Sequence, residues 1–226
     1  QYVKIFEFTN TALNLVATSV SYGGDIWSLS WSPDGKFIAA GGNTVFTVQV
    51  FEFTGFSCDK VATSSNYGGV IASVAWSPDG EFIAAGGLTS QTIQVFRFVG
   101  GAFANGGNPV ASSVDYGGSI RAISWSSDGR FIAIGGTVSQ NIQVFEFTGT
   151  SCPLFAVSSD YGNSIQALSW NLDGKFIAIG GRGSQAVKVF ELESDGFAND
   201  GNSIATSSDY GGWIYALSWN ADGRYI

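Results

Sequence analysis

The stretch Tyr22-Gly23-Gly24-Asp25-Ile26-Trp27-Ser28-Leu29-Ser30-Trp31-Ser32-Pro33-Asp34-Gly35-Lys36-Phe37-Ile38-Ala39-Ala40-Gly41-Gly42 decides the fold. Residues 26–31 alternate large and small side chains, the period-two pattern of a strand. Ser32-Pro33-Asp34-Gly35 supplies a tight turn with a glycine free to take positive φ. Phe37-Ile38-Ala39-Ala40 then returns as a second, almost wholly apolar strand. Residues 48–53, rich in β-branched and aromatic side chains, give a third strand. Val61-Ala62-Thr63-Ser64 gives a fourth, polar on both sides as suits a solvated edge.

The same text recurs along the chain. Tyr-Gly appears at Tyr22, Tyr67, Tyr116, Tyr161 and Tyr210, and a tryptophan follows nine residues later at Trp31, Trp76, Trp125, Trp170 and Trp219. The spacings are 45, 49, 45 and 49 residues, a period that belongs to solenoids or propellers. Each unit reads as four strands. Its first strand carries small residues where blades must converge on an axis: Ser28/Ser30, Ser73/Ala75, Ala122/Ser124, Ala167/Ser169 and Ala216/Ser218. This predicts an all-β fold, a β-propeller of four-stranded antiparallel blades, with residues 1–226 as one propeller domain whose units start near 22, 67, 116, 161 and 210. The chain opens in a third strand (residues 2–8) and a fourth (15–19), and ends in a first (214–219) and the start of a second (225–226). Pairing those ends makes a composite blade and a ring of five; the alternative is a piece of a larger ring.

These motifs resemble the WD-repeat β-propeller family over essentially the whole chain. Trp31 to Gly35 and Trp76 to Gly80 stand where the family has aromatic-Ser-Pro-Asp-Gly, and Phe51-Glu52, Phe96-Arg97, Phe145-Glu146 and Phe190-Glu191 stand in place of its Trp-Asp pair. Tyr22 occupies the slot of the family's Gly-His histidine. The members of the family's buried polar network appear here as Tyr22, Ala40 and Phe51, with no matching loop aspartate. Replacing a whole network with mostly apolar residues is coherent, because a half-satisfied one is worse than none. The resemblance implies a divergent branch that acts as a non-enzymatic scaffold for protein interactions.

Composition narrows the function classes. Ten Lys and Arg against 18 Asp and Glu give a net charge of −8, and scattered cations on such a surface do not neutralise a run of phosphates, so nucleic acid is a poor partner. With no histidine the commonest general base and metal ligand is missing, and we expect no catalysis, no metal site and no cofactor. No window approaches 18 consecutive apolar residues, so no membrane span is expected, nor does the N-terminus carry a signal-peptide pattern. Low charge and abundant Gly, Ser, Thr and Asn lean toward a secreted or cell-surface setting.

Candidate binding residues emerge where the near-copies disagree. The second residue of strand one reads Trp27, Ala72, Arg121, Gln166 and Tyr215, and the residue two before it reads Asp25, Val70, Ser119, Ser164 and Trp213. Both positions adjoin the Tyr-Gly loop at one mouth of the central channel. Trp27, Arg121, Gln166, Trp213, Tyr215 and Asp25 are therefore the candidate binding face, rich in the types that dominate binding hot spots. A protein or peptide partner fits it first; a self-assembling surface protein and a glycan-binding propeller are the alternatives.

Other features have plainer readings. The tyrosine ring reads as structural, each phenol capping a blade junction. Cys58 and Cys152 occupy one slot of two non-adjacent blades, beyond disulfide reach, and read as free thiols or as pairing with other molecules. The segment from Glu193 to Asn202 faintly resembles a calcium loop, but its cousin, Gly100 to Asn108, has no acid, and an ordinary hairpin loop is expected.

Overall fold

A computed structural model of the chain describes residues 1–137, 140–183 and 186–226. The chain opens with a two-stranded sheet, β1 (Lys4–Phe8) and β2 (Leu13–Thr18). Four blades follow. Blade one is β3 (Ile26–Trp31), β4 (Phe37–Gly42), β5 (Gln49–Phe53) and β6 (Cys58–Thr63). Blade two is β7 (Ile71–Trp76), β8 (Phe82–Gly87) and β9 (Gln94–Val99), with the short β10 (Ala102–Phe103) and β11 (Ala111–Ser112) both paired to β9. Blade three is β12 (Ile120–Trp125), β13 (Phe131–Gly136), β14 (Gln143–Glu146) and β15 (Leu154–Val157). Blade four is β16 (Ile165–Trp170), β17 (Phe176–Gly181) and β18 (Lys188–Glu193), with β19 (Gly196–Phe197) and β20 (Ala205–Thr206) both paired to β18. All pairings are antiparallel, and the blades are those of a β-propeller.

The Asp-Gly turn between the first two strands is set by its own side chains. Ser32 N–H donates to Phe37 O at 2.8 Å, closing the hairpin, and Gly35 takes φ 71°. Asp34 accepts from the Ser32 hydroxyl (2.6 Å) and from Lys36 N–H (3.1 Å), which holds its carboxyl below the usual carboxylate range. These aspartates serve the turns, as their sequence context indicates.

Blades stack through their first strands, β3 on β7, β7 on β12 and β12 on β16. The stacking depends on the glycine pair closing each second strand. A Cβ on Gly41, Gly86 or Gly135 would meet Ile71 at 2.4 Å, Ile120 at 2.7 Å or Ile165 at 2.5 Å on the next blade. Only glycine lets the sheets approach this closely. The core fills the seams between blades rather than one centre: Tyr67, Ile71, Val74, Trp76, Val50 and Phe96 meet at the first full seam, and Tyr116, Ile120, Ile123, Trp125, Val95 and Phe145 at the second. Phe51, Phe96, Phe145 and Phe190, expected in the core from strand three, are fully buried.

The composite blade that would close a ring of five is not formed among the described residues. β1 bonds only to β2, and residues 213–226 contribute no strand. The physical reason is the ladder: a first strand is held by its second, and across the last turn the described residues share the single rung Asn220 N–H to Tyr225 O (2.9 Å). The segment still takes the first-strand place beside β16, because Ile214 packs against Gly180 and Trp219 Nε1 donates to Ser169 O at 3.1 Å. The described residues thus form an arc open at both ends. Trp31 is 46 % exposed at one end, whereas its counterpart Trp76 in blade two is 7 % exposed.

Candidate functional site

The first strand of every complete blade carries the same irregularity. Pairing to the second strand slips between Ile26 and Ser28, Ile71 and Ser73, Ile120 and Ala122, and Ile165 and Ala167. The extra residue at each slip is Trp27, Ala72, Arg121 and Gln166. A bulge releases one residue from the ladder and re-aims its side chain. The position where the sequence copies disagree is therefore the one freed from pairing in all four blades, beside the Tyr-Gly loops.

The named residues do not all cluster. Trp213 and Tyr215 meet edge to face, centroids 6.1 Å apart at 76°, a favoured aromatic geometry. The Arg182 guanidinium lies 4.7 Å from the Trp213 ring centre and 5.8 Å from that of Tyr215, within cation–π reach. The two rings also line a groove of about 470 Å³, together with Tyr210, Ile214, Leu217 and Ile226. Arg121 buries its Nε without a hydrogen-bond partner among the described residues. Gln166 donates to Ser164 Oγ at 3.1 Å. Trp27 lies exposed on the first blade and makes no ring contact among the described residues. Asp25 is occupied, accepting from Gln1 Nε2 (3.0 Å) and Asn43 Nδ2 (3.1 Å).

Arg182 was absent from the sequence-derived set. Its signal lay in the same comparison, since the residue after each second-strand Gly-Gly reads Asn43, Leu88, Thr137 and Arg182. Each of these residues follows the strand that pairs with the bulged one, so it lies beside the variable position.

The tyrosines do structural work. The phenols of Tyr22, Tyr67, Tyr116 and Tyr161 donate to the carbonyls of Thr47 (3.1 Å), Thr92 (2.7 Å), Asn141 (2.9 Å) and Ala186 (2.9 Å). Their own carbonyls accept from Gln49, Gln94, Gln143 and Lys188 side chains. Burial pushes the phenols of Tyr22 and Tyr116 up to about 12. Tyr210 departs from the pattern and is exposed. Cys58 and Cys152 are free and buried, and burial pushes the Cys152 thiol up to about 12. The loop from Glu193 to Asn202 is a hairpin with a 3-10 turn at Asn199–Gly201, and the described residues contain no cluster of three or more potential metal ligands. No helix among them is long and apolar enough to cross a membrane.

Comparison with known families agrees with the blades. The family of the WD domain, G-beta repeat, matches residues 14–46 and 57–97. The family described as eukaryotic translation initiation factor eIF2A matches residues 102–226, more than half of the chain. No curated protein matches the chain.

Proposed function

Because this chain belongs to the eIF2A family and carries WD repeats outside that match, we propose that it is a non-enzymatic interaction propeller that takes a protein or peptide partner at the channel mouth. WD repeats imply a protein-interaction scaffold. The observation that carries the finer reading is the repeated bulge, one backbone device in four blades presenting four different side chains. The matched family is named for translation initiation; support here comes from its architecture. A net charge of −8 opposes a polyphosphate partner. The aromatic pair Trp213 and Tyr215, with Arg182 above it, suits a peptide's side chains. The test is a photo-crosslinking residue placed at Trp27 or Trp213, with Thr150 on a distant turn as control. Crosslinks to one partner from the mouth positions, lost with an excess of unmodified protein, support the site. Crosslinks from Thr150 alone overturn it.

Self-assembly is the second reading, favoured by apolar side chains exposed among the described residues, Leu29 and Trp31 on the first blade and Tyr225 and Ile226 beside the groove that Leu217 lines. Light scattering over a concentration series separates the two. Concentration-dependent growth in mass favours assembly, and a constant monomer favours the partner-binding mouth.

A further inference from the structure

The blades differ in pairs, and the difference is mechanical. In blade two the loop from Gly100 to Asn108 folds back on blade one: Gly107 O accepts from Ser65 N–H at 2.8 Å, and β10 lies against β6, with Phe103 held edge-on by Phe96 and Phe98 of its own blade. Blade four repeats this on blade three, with Gly201 O accepting from Ser159 N–H at 2.8 Å, β19 lying against β15, and Phe197 held by Phe190 of its own blade. The contact is close. Gly107 takes φ +81°, and a Cβ there would lie 3.0 Å from Ser65 N. Blade three has only the short turn closed by Thr148 N–H to Ser151 O. Nothing reaches back to the matching residue of blade two, so Val114 stands 58 % exposed and its N–H bonds to nothing among the described residues.

The innermost strands alternate the other way. Where the rim is unclasped, Trp125 Nε1 donates across the seam to Ala75 O at 3.1 Å. Where it is clasped, the indole N–H groups of Trp76 and Trp170 are buried without a partner among the described residues. There the tryptophan's backbone bridges the seam instead, Trp76 N–H to Ser30 Oγ (3.2 Å) and Trp170 N–H to Ser124 Oγ (3.4 Å), while the middle seam keeps a serine bridge two residues earlier, Ile123 N–H to Ser73 Oγ (3.1 Å).

We infer that the mechanical unit is a pair of blades, and that the seam between blades two and three is a hinge, pinned inside by Trp125 on Ala75 and free to gape at its rim. The apolar core of the seam limits its travel and keeps the opening local. Since Ala72 and Arg121 lie on opposite sides of this seam, its opening alters the width of the channel mouth. The inference rests on the loops and indoles, independent of what binds there.

The test uses three matched amides that close the same bond within successive blades, each next to the residue where a rim is clasped or left free: Ser64 N–H to Val48 O (2.9 Å), Ser113 N–H to Ile93 O (3.1 Å) and Ser158 N–H to Ile142 O (3.0 Å). Native-state hydrogen exchange followed by NMR should show Ser113 exchanging at least fivefold faster than the other two after correction for intrinsic rates. Grafting the sequence of residues 100–108 in place of residues 149–153 should slow Ser113 to the rate of Ser64, and Phe103→Ala should speed Ser64 alone. Equal rates at the three amides in the unmodified protein, or a folded graft that leaves Ser113 unchanged, would overturn the hinge.

Discussion

The Tyr67 phenol donates to the Thr92 carbonyl, 25 residues further along the chain, at 2.7 Å, and its ring is buried at the seam with the preceding blade. One side chain thus fixes both the start of a blade and the loop entering that blade's third strand.

Removing that hydroxyl should cost stability without changing the fold. Tyr67→Phe keeps the ring and leaves the Thr92 carbonyl short of its donor, so urea unfolding should report a loss of about 1 kcal/mol, more if no water enters. A midpoint and slope equal to the parent's would show that the bond contributes nothing net.

Alkaline titration should resolve the buried phenols from the exposed ones. An ordinary tyrosine ionises near 10, whereas those of Tyr22 and Tyr116 are pushed up to about 12 by burial. Folding therefore favours the neutral form. That stabilisation is complete below pH 10 and is lost as the pH rises from 10 through 12. The melting temperature should fall across this window, with phenolate absorbance growing in two stages. A single stage near pH 10 in the folded protein contradicts the burial assignment.

The two thiols should be inert while the chain is folded. Cys58 and Cys152 are buried, and burial raises both above the ordinary thiol value, leaving little thiolate to react. A disulfide reagent should count no thiol in buffer and two in guanidinium chloride. Immediate reaction of either in the native protein contradicts the packing.

Phe145 lies opposite Ile132 in the pairing of β13 with β14 and is fully buried. Phe145→Ala should cost ~3 to 5 kcal/mol, the range for deleting a core phenylalanine. A loss below about 1 kcal/mol in a folded variant would place the side chain on the other face of its strand.

The sequence made the blades legible because each boundary has its own chemistry. Trp-Ser-Pro-Asp-Gly forces a turn, Gly41-Gly42 ends a strand at a close approach, and Phe51 marks the buried side of the third strand. The long-range consequences were less visible. Val48 to Phe53 reads as a strand whichever carbonyl Tyr22 bonds, and no residue type marks a bulge, so the variable position stood out while its cause did not. The last segment, Ile214 to Trp219, has a strand's pattern, yet among the described residues it is not paired as a strand. Arg182 was missed because a loop residue after Gly-Gly carries no periodic signal, and the cation's partners, Trp213 and Tyr215, come from the following unit.

Each unit contributes glycine on one flank and isoleucine on the other, Gly86 facing Ile120 and Gly135 facing Ile165. A gene encoding such units can gain or shed one copy by duplication or deletion and still match at the new joint, since every joint is the same lock and key. The clasping loops set the step size. Inserting a single unit would set two clasped or two unclasped rims side by side, whereas copying 94 residues preserves the alternation. Inheritance in pairs is the history that this arrangement favours.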